Sequence, residues 1–274
     1  MWQSAIWITT GRSTIWAARA ILAAVAGVIA AVSPAVSAGP LAADPVAGAA
    51  AAPAPFSAAA APALPPGWRL VGLPRRGLTD GVAATRFDTV IIGGTAVLRI
   101  RTDASYANLV WDLPRPHAAE SQLAWRWRLD TALAQADLRV KRGDDSPLKL
   151  CVLFDLPLTR VPFIERSLLL IARALSGEPL PAATVCYVWD SRLGADTALP
   201  NAHSKRVRYL VLQGPDAPLG QWRSEQRAVA ADFLRLFGDE SPTVPPVIAI
   251  AVGADSDNTG GTSLSYIGDI RWLP

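Results

Sequence analysis

The chain of 274 residues holds only two cysteines, two histidines and one methionine. Cys151 and Cys186 stand too far apart for a CxxC pair, and His117 and His203 are isolated, so the spacing argues against a zinc site. No Gly-rich loop opens a helix in the phosphate-binding manner, and no GxSxG elbow presents a nucleophile. Charge is sparse as well, at 18% of residues with a net +3. There is no Lys/Arg run to give nucleic acid an electrostatic footprint, and no internal repeat. What the chain has in quantity is tryptophan, with 10 residues, and alanine and proline near its start.

That start reads as export machinery and a tether. Arg12 and Arg19 supply a positive region, Ala20 to Val32 is uncharged and apolar, and Val36-Ser37-Ala38 fits a small-residue cleavage site. Residues 1–38 are therefore expected to be a signal peptide, and the protein periplasmic or secreted. The apolar run is short for a bilayer span, and no second run is long enough. In residues 39–66, 20 of 28 positions are Ala or Pro, a composition expected to form a disordered linker. Residues 67–274 are long enough for one domain with a sizeable core.

The organising stretch of that domain is Leu123-Ala-Trp-Arg-Trp-Arg-Leu-Asp130. Read with period 2, it puts Leu123, Trp125, Trp127 and Leu129 on one face and Arg126, Arg128 and Asp130 on the other. Further alternating runs occur at Thr95–Arg101, Tyr106–Leu113, Lys149–Leu156, Thr184–Asp190, Lys205–Gln213, Gln221–Arg227, Val247–Val252 and Ser263–Leu273. Helical spacing interrupts them twice, from Pro162 to Gly177 and from Ala228 to Phe237. About ten short strands with only two helices predict a mainly β fold, an antiparallel two-sheet β-sandwich or jelly roll with one or two inserted helices. A parallel α/β sheet would need a helix after nearly every strand.

The polar parity of four strands gathers charge. If the strands around Trp125, Val152, Tyr187 and Tyr209 share a sheet, their apolar parity (including Val207, Tyr209 and Val211) faces the core. Their other parity then carries Arg126, Arg128, Lys149, Asp155, Asp190, Arg206 and Arg208. Arg outnumbers Lys there, and planar guanidinium forks suit carboxylate and sugar recognition; a plain solvated sheet face is the alternative. The loop Lys141-Arg-Gly-Asp144-Asp145 adds two carboxylates. Asp255, Asp257 and Asn258, in Asp255-Ser-Asp-Asn-Thr-Gly-Gly261, place three oxygen donors within four residues. That is a possible Ca²⁺ loop, although a turn bonding its own backbone explains the same composition, and no cofactor is required. Cys151 and Cys186 fall in strand-like runs; buried thiols are favoured over a disulfide, because adjacent strands rarely offer disulfide geometry.

Taken together, several motifs resemble a bacterial exported family known as domain of unknown function 3047 (DUF3047). They are Trp125-Arg-Trp-Arg128, Lys141 to Asp145, Val152-Leu-Phe-Asp155, Cys186-Tyr-Val-Trp-Asp190, Arg206-Val-Arg208, Trp222 with Arg227 and Asp232, Phe237-Gly238, Asp255 to Thr259, and Tyr266 to Ile270. The resemblance spans nearly all of residues 67–274 and implies a common fold and site without naming a ligand. The closing strand Ser265-Tyr-Ile-Gly-Asp-Ile-Arg-Trp272 is also similar to that of galactose-binding-like jelly-roll modules.

The expected function is non-catalytic binding of a glycan or other polyhydroxylated envelope ligand on the Arg/Asp face. The alternatives are a polysaccharide lyase or glycoside hydrolase, with Arg128, Tyr187 or His203 moving a proton, and an envelope interaction module.

Overall fold

The computed structural model describes residues 52–72, 81–117, 122–176 and 178–273. The strands are β1 (Trp68–Val71), β2 (Arg86–Ile92), β3 (Thr95–Asp103), β4 (Tyr106–His117), β5 (Gln122–Thr131), β6 (Leu148–Phe154), β7 (Ala183–Trp189), β8 (Ala198–Pro200), β9 (Val207–Gln213), β10 (Arg223–Ala228), β11 (Val247–Asp255), β12 (Thr262–Ile267) and β13 (Arg271–Leu273). Helix α1 (Phe163–Ser176) follows β6, and α2 (Val229–Phe237) follows β10. One sheet has the order β1-β4-β11-β6-β7-β9-β8; the other has β10-β5-β12-β3-β2, with β13 pairing to β5 beyond the end of β12. The fold is the expected two-sheet sandwich with two helices. Its strand pairs are antiparallel except β7 with β9. The expected last strand is split, because Gly268 to Ile270 leave the ladder between β12 and β13.

Local sequence explains the framework. The β2–β3 hairpin turns on Gly93 and Gly94, both at positive φ, the backbone that a two-residue primed turn needs. In β5, burial alternates strictly, and Leu123, Trp125, Trp127 and Leu129 are at most 4% exposed. They meet the inward residues of β7 across the sandwich, Trp125 against Tyr187 at 5.2 Å and Trp127 against Trp189 at 6.0 Å. Phe233 and Phe237 of α2 close the same core. Two of the polar atoms this buries are paired: Trp127 Nε1 donates to Glu225 at 3.0 Å, and Tyr187 Oη donates to Asp232 at 2.8 Å, whereas Trp125 Nε1 has no partner among the described residues. Arg227 holds that Asp232 carboxylate in a bidentate fork.

Four expectations are corrected. First, β5 lies in the sheet opposite β6, β7 and β9, so the four strands do not make one charged face. Second, β9 is turned over: Leu210 enters the main core, while Val207, Tyr209 and Val211 join Leu138, Val188 and Ala251 in a smaller cluster on the outer face of the seven-stranded sheet. Third, Cys151 and Cys186 are directly opposite in the β6–β7 register and form a disulfide, with Cα atoms 4.0 Å apart. Opposed positions of an antiparallel pair already lie near that spacing, so bridging them needs no backbone travel. Fourth, the tail of the Ala/Pro-rich stretch is packed, not free. Phe56 is 1% exposed and stacks on Trp68 at 5.1 Å, and Ser57 donates to Asp269 through both its backbone N and Oγ. Leu64 packs against the core as well, and Thr89 donates to the Pro62 and Ala63 carbonyls. The export reading of residues 1–38 lies outside the described residues.

Trp127→Ala is expected to cost about 3–5 kcal/mol, as large core truncations do. Arg128→Ala should cost less than about 1 kcal/mol, since its partner Asp130 is a partly exposed neighbour on the same strand. Phe56→Ala should cost about 3 kcal/mol. Urea titrations measure all three; a Phe56→Ala protein as stable as wild type would return residues 52–66 to the status of a linker.

Candidate functional site

The outer face of the seven-stranded sheet carries a polar cluster that is buried although it lies away from the main core. Register builds it. Asn108 of β4, Gly253 of β11 and Lys149 of β6 form one row across three strands, and Tyr106 pairs with Asp255 one step along. Gly253 is required here, because a Cβ at this position would sit 2.0 Å from Asn108 Oδ1. Lys149, 6% exposed, donates from Nζ to Asp255 Oδ2 at 2.8 Å and lies 5.4 Å from the centre of the Tyr106 ring. The Ser146 amide donates to the other Asp255 oxygen at 2.9 Å. Burial works against the Lys149 ammonium, but Asp255 and the nearby tyrosine oxygens outweigh it and hold its pKa above the ordinary lysine value.

The loop after β5 and the loop before β9 complete the cluster. Tyr209 Oη donates to Asp144 Oδ1 at 3.2 Å, and Asn201 Nδ2 donates to Tyr209 Oη at 2.7 Å and to Asp144 Oδ2. At the rim, the half-exposed His203 brings Nε2 to 3.8 Å from Asp144. Burial pushes the Asp144 carboxyl up. Asn108 Nδ2 donates to Tyr106 Oη at 3.2 Å.

Of the sequence-predicted ligand residues, Asp144, Asp145 and Lys149 converge here, and the predicted metal residues Asp255, Asp257 and Asn258 join them. Carboxylate oxygens of Asp145, Asp255 and Asp257 lie within 4.8 Å of one another. Asn258 backs that set, its backbone N and Nδ2 both donating to Asp145. Asp145 also accepts from Thr259 N at 2.7 Å and Thr259 Oγ1 at 2.6 Å, so it fixes the turn that carries Asp257. Asp145 accepts from Asn258 and Thr259, and Asp255 faces Lys149, so one ammonium stands among three carboxylates. Asp257 is the exception: its buried Oδ1 has no partner. Burial, followed by repulsion from Asp255 and Asp145, pushes its carboxyl up to about 6.

The remaining predicted residues lie elsewhere. Arg126 and Arg128 are on the outer face of the opposite sheet. Arg128 forks onto Asp130, and Arg126 lies 4.7 Å from the Trp222 ring centre beside a cleft of about 700 Å³ lined by Ser57, Ser224, Gln226, Asp269 and Arg271. Arg206 and Arg208 are structural: both grip Glu240 just beyond α2, and Arg208 stacks over Phe237 at 4.2 Å. Asp190 caps the turn after β7 by accepting from the amides of Arg192 and Leu193. Asp155 is exposed past the end of β6. These residues fail as one site because parity along a strand cannot say which sheet the strand joins. Tyr106, Asn108, Tyr209 and Asn201 were not foreseen. Tyr106 and Asn108 share the polar parity of β4 and were open to the same reading, whereas Tyr209 sits on an apolar parity that pointed inward.

Fold and geometry define a β-sandwich with a buried ammonium–carboxylate–phenol cluster on one outer face. The chain belongs to the family described as "Protein of unknown function (DUF3047)", whose model matches residues 67–271. No curated protein shows significant sequence similarity to it. Among solved structures it is similar to endoglucanase 3 of Trichoderma harzianum from family GH12 (9% identity, covering 69% of this chain and 85% of that one, TM-score 0.38). It is similar too to the xyloglucanase domain of a type three effector from Sinorhizobium fredii (5% identity, covering 69% and 93%, TM-score 0.38). Likeness at this level supports no inference about activity.

Asp257 gives the cluster a pH signature. Its native pKa of about 6 lies above the ordinary 3.8, so between these values the native state binds more protons than the unfolded chain, and stability falls as pH rises through the window. Asp257→Asn removes this term. The variant's melting temperature should exceed wild type at pH 7 and approach it at pH 4; an unchanged difference across the range would contradict the assignment. Lys149 offsets one of the three carboxylates, so melting curves in Ca²⁺ and in chelator decide whether the loop also holds a cation, and coincident curves exclude it. A calcium-dependent rise that Asp257→Ala abolishes would show instead that the loop holds metal.

Proposed function

We propose that the chain is an exported β-sandwich module that binds a glycan or similar polyhydroxylated envelope ligand over the Lys149–Asp144 cluster. The observation that carries this reading is the burial of Lys149 and Asp255 on a sheet face that the core does not require. An ion pair out of water is often less stabilising than an apolar pair of the same volume, so its presence is better explained by a task than by folding, and perturbed ionisable groups gather at functional sites. Phenol, amide, carboxylate and ammonium groups, the types that hydrogen-bond sugar hydroxyls, lie side by side here, buried and paired with one another. His203 and Asn201 give them an edge open to solvent.

A second reading is supported by one feature. Asp144, pushed up by burial, has a phenol at 3.2 Å and an imidazole at 3.8 Å. Such a set suits proton transfer in a hydrolase or lyase.

Affinity electrophoresis against neutral and acidic polysaccharides tests the binding proposal. Wild type should be retarded by at least one of them, and His203→Ala and Asp144→Asn should weaken retention about tenfold, a loss of about 1.4 kcal/mol. No retardation with any polysaccharide, or equal retention of all three proteins, defeats it. Release of reducing ends or unsaturated products by wild type but not by Asp144→Asn would establish the enzymatic reading instead.

A further inference from the structure

Helix α1 faces the opposite way from an ordinary surface helix. An amphipathic helix on a globular domain turns its apolar stripe inward. In α1 the apolar stripe points to solvent. At 3.6 residues per turn, Phe163, Ile164, Leu168, Leu170, Ile171 and Leu175 share one broad arc, and they are between 47% and 73% exposed. Only Leu169 is buried. The protein-facing side is held by polar contacts. Glu165 lies 3.8 Å from both Lys205 and Arg206, and Arg173 Nε donates to the Leu180 carbonyl at 2.8 Å.

At the N-terminal end of the stripe the outward charges are cationic, Arg160 and Arg166. Glu165, the one acid of the helix, is turned inward with its side chain 17% exposed. Arg166 reaches over the Phe163 ring at 5.6 Å. Arg160, in the turn before the helix, contacts Ser241. Among the described residues, Arg160 and Arg166 have no carboxylate within ion-pair distance.

We propose that α1 docks on the surface of a bilayer containing anionic lipid, with its apolar arc in the interface and Arg160 and Arg166 at the headgroups. An apolar face flanked by uncompensated cations is complementary to an anionic lipid surface. A second copy of the chain fits less well. The 14-residue helix is about 21 Å long at 1.5 Å per residue, and one face of it falls short of the roughly 800 Å² per partner of a stable interface. The helix lies on the membrane and does not cross it: among the described residues no helix is long and apolar enough to span one. This proposal is independent of ligand binding at Lys149.

The test uses the full chain carrying Leu170→Cys with a nitroxide label; Cys151 and Cys186 are bonded to each other, so the new thiol is labelled alone. Collision with oxygen and with a polar nickel reagent is read with vesicles of phosphatidylcholine, pure or containing phosphatidylglycerol. On the anionic vesicles the label should become oxygen-accessible and nickel-protected. Adding Ile164→Glu and Leu168→Glu should restore its exposure to nickel without lowering the melting temperature, since both side chains are outside the core. Binding of residues 1–51 to lipid would recruit the chain but would not immerse a label on α1. A label that stays water-accessible on anionic vesicles overturns the proposal, and so does equal immersion on pure phosphatidylcholine. Spin–spin broadening without lipid, the sign of a dimer through α1, overturns it as well.

Discussion

The sandwich depends on the meeting of two aromatic strands. Trp125 and Trp127 of β5 reach across to Tyr187 and Trp189 of β7, within one continuous apolar core. Aromatic rings bury large areas but bring polar atoms with them. The core therefore needs Glu225 for the Trp127 indole and Asp232 for the Tyr187 phenol. Those acceptors sit on β10 and α2, which explains why α2 is fastened at this edge of the sandwich by the Arg227–Asp232 fork. Its apolar face, with Val229, Phe233, Leu236 and Phe237 buried, places it there as well.

The outer faces of the two sheets diverge. The outer face of the six-stranded sheet has surface pairs such as Arg99 with Asp88 and Arg128 with Asp130, each worth little in water. The outer face of the other sheet is partly covered by its own loops, so Lys149, Asp144 and Asp255 lose solvent and must satisfy one another. Removing one member of such a network leaves an uncompensated buried charge. The disulfide and the Tyr209 cluster lie one row along from this network and make that half of the sheet a second, smaller interior.

Two exposed features have no counterpart in the stability of the fold. One is the apolar arc of α1, which adds nothing to the core beyond Leu169. The other is the half-exposed His203 edge of the polar cluster. Both are where the molecule keeps chemistry available to its surroundings.

Period-2 alternation in β5, β6 and β7 determined which side chains face inward, because one buried face leaves a clean imprint on sequence, and the scarcity of helical spacing determined a mainly β sandwich. The grouping of Asp144 and Asp145 with Asp255 to Asn258 depended on tertiary structure. Parity says which residues share a face of a strand, not which sheet takes that strand, so Arg126 and Lys149 looked like neighbours and lie on opposite sheets. Alternation also cannot tell in from out when both faces are covered, hence the inverted Tyr209. The orientation of α1 was hidden for a related reason: helical spacing shows that an apolar stripe exists, but only the packing of Glu165 and Arg173 against the domain decides that it points away from the protein.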